Sequence, residues 1–387
     1  MDTALPISAS PGDVDALLAR EFPLEESVLY LNHAGVAPLP RRAGTALARF
    51  ADQAVRRGAA DYPQWLEVEA RLRGRLRALI NAPSDDDIAL LKNTSEVLSV
   101  VAHGFPWRRG DNVVIADEEF PSNRIVWESL APYGVEVRYA PVAGTTPETE
   151  FEARVDSRTR MIAVSSVQYA SGRRMPLPAI AGLCRRRGIA LCVDAIQSLG
   201  ALPFDAQALG ADFVVADLHK WMLGPEGVCL FYTAPQAREW LTLHQYGWHM
   251  TADPHDFDRP DWSPSPSARR FECGSPNMAG VHAAAASLSL LLEIGIERVA
   301  ERVLARSRWL LERIAADRRL ECLTPPEPGR HAGIVTFRRH DEAPPQSFAR
   351  LRAAGVVCAL RGGGVRFSPH CHTPFAVLER ALALVLA

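Results

Sequence analysis

The sequence predicts an α/β fold in which a mostly parallel central sheet is flanked by helices and is followed by a smaller α+β domain. Six short runs of β-branched and other apolar residues succeed one another along the chain, and helix-like segments separate them. The runs do not alternate apolar with polar residues, which is typical of strands buried on both faces of a sheet. With 387 residues, the chain is long enough for two packed domains.

The first expected element is an amphipathic helix, WLEVEARLRGRLRALI, with its charges on one side. The predicted strands are NVVIAD, VEVRYAPV, MIAVSSV, IALCVDA, ADFVVAD and GVCLFY. The segment PLPAIAGLCRRRG, directly before the fourth strand, predicts a helix that stops at Gly188.

A composition shift marks the C-terminal part. Residues 249–268 are rich in Pro, Asp and Ser without a period, which indicates a long loop that either serves the function or joins two domains. A long helix is expected from Ala279 to about Ile314, then a strand GIVTF and a terminal helix FAVLERALALVLA. The expected division is an N-terminal segment at 1–30 that packs with the small domain, a large domain at 31–264 and a small domain at 265–387.

The charge balance argues against several classes of partner. The chain has 43 Lys and Arg against 45 Asp and Glu, for a formal net charge of -2, so nucleic acid is an unexpected partner. It has no apolar run long enough to span a bilayer and no N-terminal targeting pattern. The seven cysteines are scattered without a CxxC pair, which argues against disulfides and zinc. We expect a cytoplasmic protein with no membrane partner.

The most informative residues are Asp194 and Lys220, which each stand at or just past the carboxyl end of a predicted strand. Open α/β sheets bind ligands at that edge. An amine for the aldehyde and a carboxylate against the pyridine nitrogen are what pyridoxal 5′-phosphate (PLP) requires. Gln197 could donate to the phenolic oxygen of PLP, and His219 could hydrogen-bond PLP or a substrate. Asp194 or Lys220 alone would indicate a solvated surface charge, whereas the ordered pair indicates a PLP enzyme.

A phosphate site is expected at the start of a helix. Thr94 and Ser95 precede an apolar helical run, where hydroxyls and free backbone N–H groups bind anions. The alternative is that one of them is an ordinary N-cap, with Glu96 in the first turn. Gly274 and Ser275, which open the long helix of the small domain, are a second candidate.

Together, these segments resemble the class V aminotransferase group of fold type I PLP enzymes. This group contains cysteine desulfurases, selenocysteine lyases, cystine C–S lyases and isopenicillin N epimerases. The matching segments are VLYLNHAGVAPLP, LKNTSEVLSVV, DEEFPSN, VDAIQSLGALPFD, DFVVADLHKWMLGPEG, YGWH, RRFECGSPN and VRFSPHCHTP. The resemblance thus covers nearly the whole chain, and the spacing of VDAIQ and LHKW is its most specific part.

The resemblance implies how PLP is held. Lys220 bonds the cofactor, Asp194 pairs with the ring nitrogen and Gln197 contacts the phenolic oxygen. The residues Thr94, Ser95 and His219 help to hold the cofactor. No metal is expected.

The resemblance also implies a homodimer with its active site at the subunit interface, where Ser275 of one subunit reaches the phosphate held by the other. Phe120 falls where the family places a side chain, often His, that stacks on the pyridine ring. An aromatic face can still hold the ring. Alternatively, Phe120 belongs to the core.

For the substrate carboxylate, the resemblance points to Arg366, with Arg361 as a second cation. A guanidinium makes two parallel bonds to a carboxylate. The alternative for either arginine is a surface ion pair. Asn32 and His33 are candidates for the substrate pocket, although Asn32 could equally stabilise a turn.

Three departures from the family pattern limit what the resemblance implies. Asp217 replaces a phosphate-binding Ser or Thr, and we expect it to point away from the phosphate, toward a basic partner. Tyr169 stands where desulfurases tend to carry Asn. The chain passes from Arg361 through three glycines to VRFSPH, so the desulfurase loop and its Cys are missing, and Cys371 lies in the next turn. Direct persulfide formation, which needs a thiolate there, is disfavoured.

The expected reaction begins with removal of the Cα proton of a small amino acid by Lys220. Relatives of the cystine-lyase type also lack the thiol loop, so β-elimination from a sulfur amino acid is the first expectation. Aminotransferase or epimerase activity is the alternative. A non-catalytic PLP-binding protein is a third hypothesis, and no GxGxxG motif supports a nicotinamide enzyme.

Overall fold

The computed structural model describes residues 11–258 and 260–387. The helices are α1 (Pro11–Glu21), α2 (Arg41–Arg57), α3 (Tyr62–Ile80), α4 (Thr94–Gly104), α5 (Ser122–Glu128), α6 (Pro147–Arg154), α7 (Leu177–Arg187), α8 (Ala206–Leu209), α9 (Pro235–Arg238), α10 (Met278–Ile294), α11 (Ile296–Ala316), α12 (Pro344–Ala353) and α13 (Phe375–Leu386). The strands are β1 (Leu29–Tyr30), β2 (Ile88–Leu91), β3 (Asn112–Ala116), β4 (Glu136–Ala140), β5 (Thr159–Ser165), β6 (Ala190–Asp194), β7 (Phe213–Asp217), β8 (Cys229–Thr233), β9 (Leu320–Cys322), β10 (Val335–Arg339), β11 (Val356–Val357), β12 (Ala359–Arg361) and β13 (Gly364–Phe367).

A seven-stranded sheet in the order β2-β8-β7-β6-β5-β3-β4 forms the centre of the fold. Only β8 runs against its neighbours, and the pairs among β7, β6, β5, β3 and β4 are all parallel. The six predicted strands are all present, and the prediction of a mostly parallel α/β sheet is confirmed. The edge strand β2 has only four residues and was not predicted from the sequence.

The apolar runs lack alternation because both faces of this sheet are covered. Along each strand, successive side chains enter two different apolar clusters. One face contributes Val114, Ile162, Val164, Leu191, Val193 and Val214 to the first cluster. The other face contributes Val113, Ile115, Met161, Ala163, Phe213 and Val215 to the second cluster. Each fully buried Val, Ile or Phe contributes about 1.5–3 kcal/mol relative to an exposed position, so both layers hold the sheet in place.

A second, smaller unit follows α11. Its antiparallel sheet has the order β12-β13-β10-β9, and the predicted strand GIVTF corresponds to β10. The N-terminal segment reaches this unit because β1 pairs in parallel with β11, and Leu29 and Leu31 join an apolar cluster with Phe337 and Phe367.

The expected long helix from Ala279 to about Ile314 is instead two helices. α10 and α11 meet at 85° around Gly295, whose φ of 89° and ψ of 130° end the helical path. The prediction of one continuous helix was wrong because helical periodicity continues on both sides of this glycine. Among the described residues, no single helix is long and apolar enough to cross a membrane, and only this bent pair meets the length and composition criteria when its two helices are combined.

Candidate active site

A cavity of about 320 Å³ opens at the carboxyl ends of the parallel strands, where β5 ends at Ser165, β6 at Asp194 and β7 at Asp217. Ligands of open α/β sheets bind at this edge. The sequence-predicted residues that line it are Thr94, Ser95, Phe120, Asp194, Gln197, His219, Lys220, Arg361 and Arg366. The fold therefore gathers residues from five separate stretches of the chain around one space.

Lys220 follows β7 and projects its amine into this cavity. Burial lowers its pKa to about 8, with Arg366 acting in the same direction and Asp194 opposing the shift. Its Nζ lies 5.5 Å from the centroid of the Phe120 ring. A lysine in this environment has a substantial neutral fraction near neutral pH, so it can act as a nucleophile or as a base.

Asp194 ends β6 as a buried carboxylate in the same cavity. Its Oδ1 accepts a hydrogen bond from the backbone N–H of Ile196 at 3.0 Å. Burial raises its pKa to about 6, and the charge of Lys220 counteracts this. The carboxylate is therefore mostly ionised at neutral pH, which suits a partner for a protonated ring nitrogen.

Gln197 is fixed on both sides. Its Oε1 accepts from Trp221 Nε1 at 2.8 Å, and its Nε2 donates to the Ala34 carbonyl at 3.1 Å. Because an amide nitrogen carries two hydrogens, one N–H remains for a ligand in the cavity.

Trp221, the residue after Lys220, was missed by sequence reasoning. Its indole is fully buried, and its carbonyl lies 3.0 Å from His370 Nε2. Gly200, with φ +90°, makes room for it, since a Cβ there would lie 2.2 Å from that carbonyl oxygen. Trp221, next to Lys220, is thus fixed by contacts with Gln197, His370 and Gly200.

The start of α4 lies at the cavity and carries groups that could bind an anion. The N-cap is Asn93, whose Oδ1 accepts from the backbone N–H of Glu96 at 2.9 Å, so the alternative that Thr94 or Ser95 is the cap is wrong. Thr94 Oγ1 accepts from the backbone N–H of Asp217 at 3.2 Å, and Ser95 Oγ lies 2.8 Å from Ser122 Oγ. Thr94 and Ser95 thus bring two hydroxyl groups and a helix N-terminus to the cavity lining, a combination that suits a phosphate.

Phe120 lies at the cavity wall and is 38% exposed, so the alternative that it belongs to the core is wrong. Its ring meets Tyr169 edge to face, with centroids 5.1 Å apart.

The preceding Glu119 is fully enclosed, and burial raises its pKa to about 7. It accepts from the backbone and hydroxyl of Ser165, from Gln168 and from Asn123, a role that local sequence could not indicate.

Arg366 is buried on β13 and reaches into the cavity. Its Nη1 donates to the Tyr169 carbonyl at 2.7 Å and its Nη2 to Asn32 Oδ1 at 3.3 Å, whereas its buried Nε has no partner among the described residues. Burial lowers its pKa to about 10, assisted by Arg361. No ion pair with a described carboxylate holds either arginine, so the surface ion-pair alternative is not supported.

Three predicted residues lie outside the cavity lining. Asn32 acts indirectly, through its bond to Arg366. His33 is fully buried, with Nδ1 2.9 Å from the Ser368 carbonyl and Nε2 3.2 Å from His372 Nε2, so its expected place in the substrate pocket was wrong. Ser275 is exposed just before α10 and does not line the cavity of its own chain.

Asp217 was expected to point away from the phosphate toward a basic partner, and it lies beside one. It lines the cavity, and its Oδ1 lies 3.2 Å from Nδ1 of His219, the basic partner. The 249–268 segment, by contrast, contributes none of its described residues to this cavity and forms part of a separate aromatic-lined cavity of about 440 Å³.

The cluster of His370, Cys371 and His372 places three potential metal ligands within 4.8 Å of one another. Both ring nitrogens of His370 are already engaged, Nδ1 by the Cys371 backbone N–H and Nε2 by the Trp221 carbonyl. A histidine with both nitrogens occupied is a poor ligand, so the arrangement is explained as packing.

The cavity residues fit PLP. They comprise an amine of lowered pKa at Lys220, a buried carboxylate at Asp194, an aromatic face at Phe120 and the open helix start at Thr94. The buried Nε of Arg366 is a further donor that a substrate carboxylate would satisfy.

Comparisons with known proteins identify the family. A family model described as aminotransferase class-V matches residues 29–380. A probable cysteine desulfurase of Methanothermobacter thermautotrophicus is 29% identical over 361 residues, covering 92% of this chain and 87% of that protein. The uncharacterized aminotransferase YcbU of Bacillus subtilis is 28% identical over 366 residues, covering 95% of this chain and 96% of that protein.

Solved structures match over nearly the full length. The cystine C–S lyase C-DES in complex with its reaction product cysteine persulfide has a TM-score of 0.87 at 22% identity, covering 94% of this chain and 99% of that one. The cysteine desulfurase CsdA of Escherichia coli has a TM-score of 0.86 at 19% identity, covering 98% of both chains. At these identities, the likeness establishes the fold.

Proposed function

The chain belongs to the aminotransferase class-V family of PLP-dependent enzymes, and from this premise we propose that it is a lyase that breaks the Cβ–S bond of a small sulfur amino acid by β-elimination. Cystine, cysteine and related amino acids are the substrate class. The curated relatives named cysteine desulfurase and the fold shared with a cystine C–S lyase support chemistry at Cβ and sulfur.

The observation that carries the proposal is the turn between β12 and β13. Arg361 pairs directly with Gly364, so Gly362 and Gly363, with φ of 58° and 77°, form a two-residue turn. This turn stands where the desulfurase pattern has a loop with a reactive Cys, and no cysteine lines the cavity. Without an enzyme thiol to accept sulfur, the sulfur leaves as part of the departing group.

The residues divide the work as follows. Arg366 binds the substrate α-carboxylate through its planar donors and thereby orients Cα toward Lys220. Lys220 accepts the Cα proton on Nζ, a role that its lowered pKa of about 8 favours. Bound PLP supplies an electron sink for the pair left at Cα. Asp194 would keep a proton on the ring nitrogen of bound PLP, and Phe120 would cover one face of the ring.

The test measures the carbon product formed from cysteine or cystine by the purified holoprotein. β-Elimination from cystine consumes one water and gives pyruvate, ammonia and cysteine persulfide. Alanine as the product would instead mean direct desulfuration. A keto acid formed without ammonia, or racemised substrate, would favour the aminotransferase or epimerase alternative, which uses the same Lys220.

Two variants serve as controls. Lys220→Ala should lose both pyruvate formation and the visible absorption of the bound cofactor. Cys273 and Cys322 are the only cysteines among the described residues that are not fully buried. Replacing each with Ser should leave pyruvate formation unchanged, and a loss of activity would contradict elimination without an enzyme thiol.

We further propose that the enzyme is a homodimer in which Ser275 completes the partner's phosphate site. Ser275 is exposed and does not line the cavity of its own chain, which is compatible with such a role. The cytoplasmic location expected from the sequence stays a prediction.

A further inference from the structure

Tyr169 lines the cavity, and its phenol hydroxyl is not used by the fold. Its ring meets that of Phe120 with centroids 5.1 Å apart, and its backbone carbonyl accepts from Arg366 Nη1 at 2.7 Å. These contacts use the ring and the backbone, and the hydroxyl forms no hydrogen bond with any residue that the structure describes. A phenol therefore stands at the cavity wall with a hydrogen to donate.

The backbone that carries Tyr169 is held from both sides. A Cβ built on Gly362, in the turn between β12 and β13, would lie 3.2 Å from the Cβ of Ala170. The Ala170 carbonyl accepts a hydrogen bond from Thr336 Oγ1 on β10 at 2.6 Å. The short glycine turn and the small sheet thus fix the residue next to Tyr169.

The phenol lies at the end of the cavity where the substrate is expected. Burial and the charge of Arg361 lower the pKa of Arg366, and the phenol of Tyr169 opposes them, so its oxygen acts on that guanidinium. Lys220 Nζ lies 5.5 Å from the centroid of the Phe120 ring, which Tyr169 also contacts. A substrate whose carboxylate binds Arg366 and whose Cα faces Lys220 therefore brings Cβ to the part of the cavity that Tyr169 lines.

The serine hydroxyls of the cavity have other partners. Ser95 Oγ and Ser122 Oγ lie 2.8 Å apart at the helix starts where the phosphate is expected. The hydroxyl of Ser165 donates to the Glu119 carboxylate. Tyr169 is therefore the hydroxyl at the substrate end of the cavity that these contacts leave unused.

The proposed elimination needs a proton at sulfur. Lys220 takes the Cα proton, and when the Cβ–S bond breaks, its electron pair leaves with the sulfur, which departs more readily if an acid protonates it. Phe120 has no proton to give. We propose that Tyr169 is this acid: its O–H bond breaks and an S–H bond forms. The guanidinium of Arg366 stabilises the phenolate left behind, which then takes a proton from water.

This proposal rests on the lyase function, and its test compares two leaving groups in the wild-type and Tyr169→Phe holoproteins. Cysteine loses sulfur, which needs a proton, whereas 3-chloroalanine loses chloride, which needs none. In the variant, kcat/KM for pyruvate formation from cysteine should fall about a hundredfold, the usual scale for a general acid. The value for 3-chloroalanine should not change. An equal loss with both substrates, or no loss with cysteine, would overturn the proposal.

Two measurements separate this role from damage to the site. Alanine has no leaving group, so the exchange of its Cα hydrogen in D2O, followed by NMR, reports proton transfer to Lys220 alone. The dissociation constant of alanine, followed by the absorbance of the bound cofactor, reports substrate binding. Both should be equal in the wild type and Tyr169→Phe. Slower exchange or weaker binding in the variant would mean that Tyr169 shapes the site, which overturns the proposal.

Tyr133→Phe is the matched control, because Tyr133 is exposed and does not line this cavity. Its kcat/KM for both substrates should equal that of the wild type. A loss with cysteine as large as that in Tyr169→Phe would overturn the proposal. Failure of the wild type to form pyruvate from either substrate would instead count against the lyase function itself, so the two failures are distinguishable.

Discussion

At the residue scale, burial shifts the pKa values of the ionisable side chains that line the cavity. Burial brings the pKa of Lys220 down to about 8 and that of Arg366 down to about 10, and raises that of Asp194 to about 6. Lys220 and Asp194 could be predicted from the sequence because each follows a recognisable strand. The contacts of Glu119 could not be predicted, since they join it to Ser165, which is far along the chain.

Arg366→Lys should weaken substrate binding while leaving the cofactor in place. A lysine loses the planar fork and cannot also keep the contacts with Tyr169 and Asn32. We expect KM to rise by about tenfold to a hundredfold, the equivalent of about 1.4–2.8 kcal/mol. The same substitution at the exposed Arg361 should raise KM by a smaller factor. An unchanged KM in Arg366→Lys, with normal cofactor absorbance, would refute the assignment.

Glu119→Gln should change how stability depends on pH. Burial raises the pKa of Glu119 from 4.5 to about 7 in the folded protein. The neutral acid therefore favours the folded state fully below pH 4.5, and this contribution is lost as pH rises through about 7. We measure the free energy of unfolding of both apoproteins by urea denaturation. As the pH rises from 4.5 through about 7, the value for the variant should increase relative to that for the wild type by up to about 3 kcal/mol. A difference independent of pH would contradict the buried, protonated form.

At the element scale, the strands were predictable and the helix break was not. The strand runs are apolar on every residue because both sheet faces are packed, a pattern visible without coordinates. Gly295 lies within continuous helical periodicity, so only its backbone geometry reveals the 85° bend. The short edge strand β2 has too few residues to stand out in the sequence.

Gly295→Ala should destabilise the protein. Its φ of 89° with ψ of 130° lies in a region that a residue with a Cβ adopts only with strain, so we expect a loss of about 1–3 kcal/mol. Gly44→Ala is the control, because Gly44 is exposed inside α2 with open space around its Cα, and alanine there should add about 0.5–1 kcal/mol. The free energy of unfolding measures both. A Gly295→Ala protein as stable as the wild type would mean that the bend is not imposed by this residue.

At the scale of the whole molecule, the site is assembled from distant parts of the chain. Asn32 near the N-terminus and Tyr169 in the middle of the chain both accept hydrogen bonds from Arg366 near the C-terminus, so the position of this guanidinium depends on how distant segments pack together. Ser275 is one of the three predicted site residues that do not line the cavity of this single chain, and it is the exposed one. Its proposed role in the partner's site comes only from the family resemblance, because no local sequence pattern shows which subunit's active site a side chain belongs to.

A complementation experiment decides whether Ser275 acts in the partner's site. Ser275→Glu should weaken PLP binding by placing a negative charge near the phosphate, and Lys220→Ala removes the bonding amine. A mixed dimer of the two variants would contain one intact site, with Lys220 from one chain and Ser275 from the other. Random assembly after co-expression should therefore restore about one quarter of wild-type pyruvate formation and cofactor absorbance. If Ser275 serves its own chain, no mixed dimer has an intact site, and the mixture will show only the residual activity of the two separate variants.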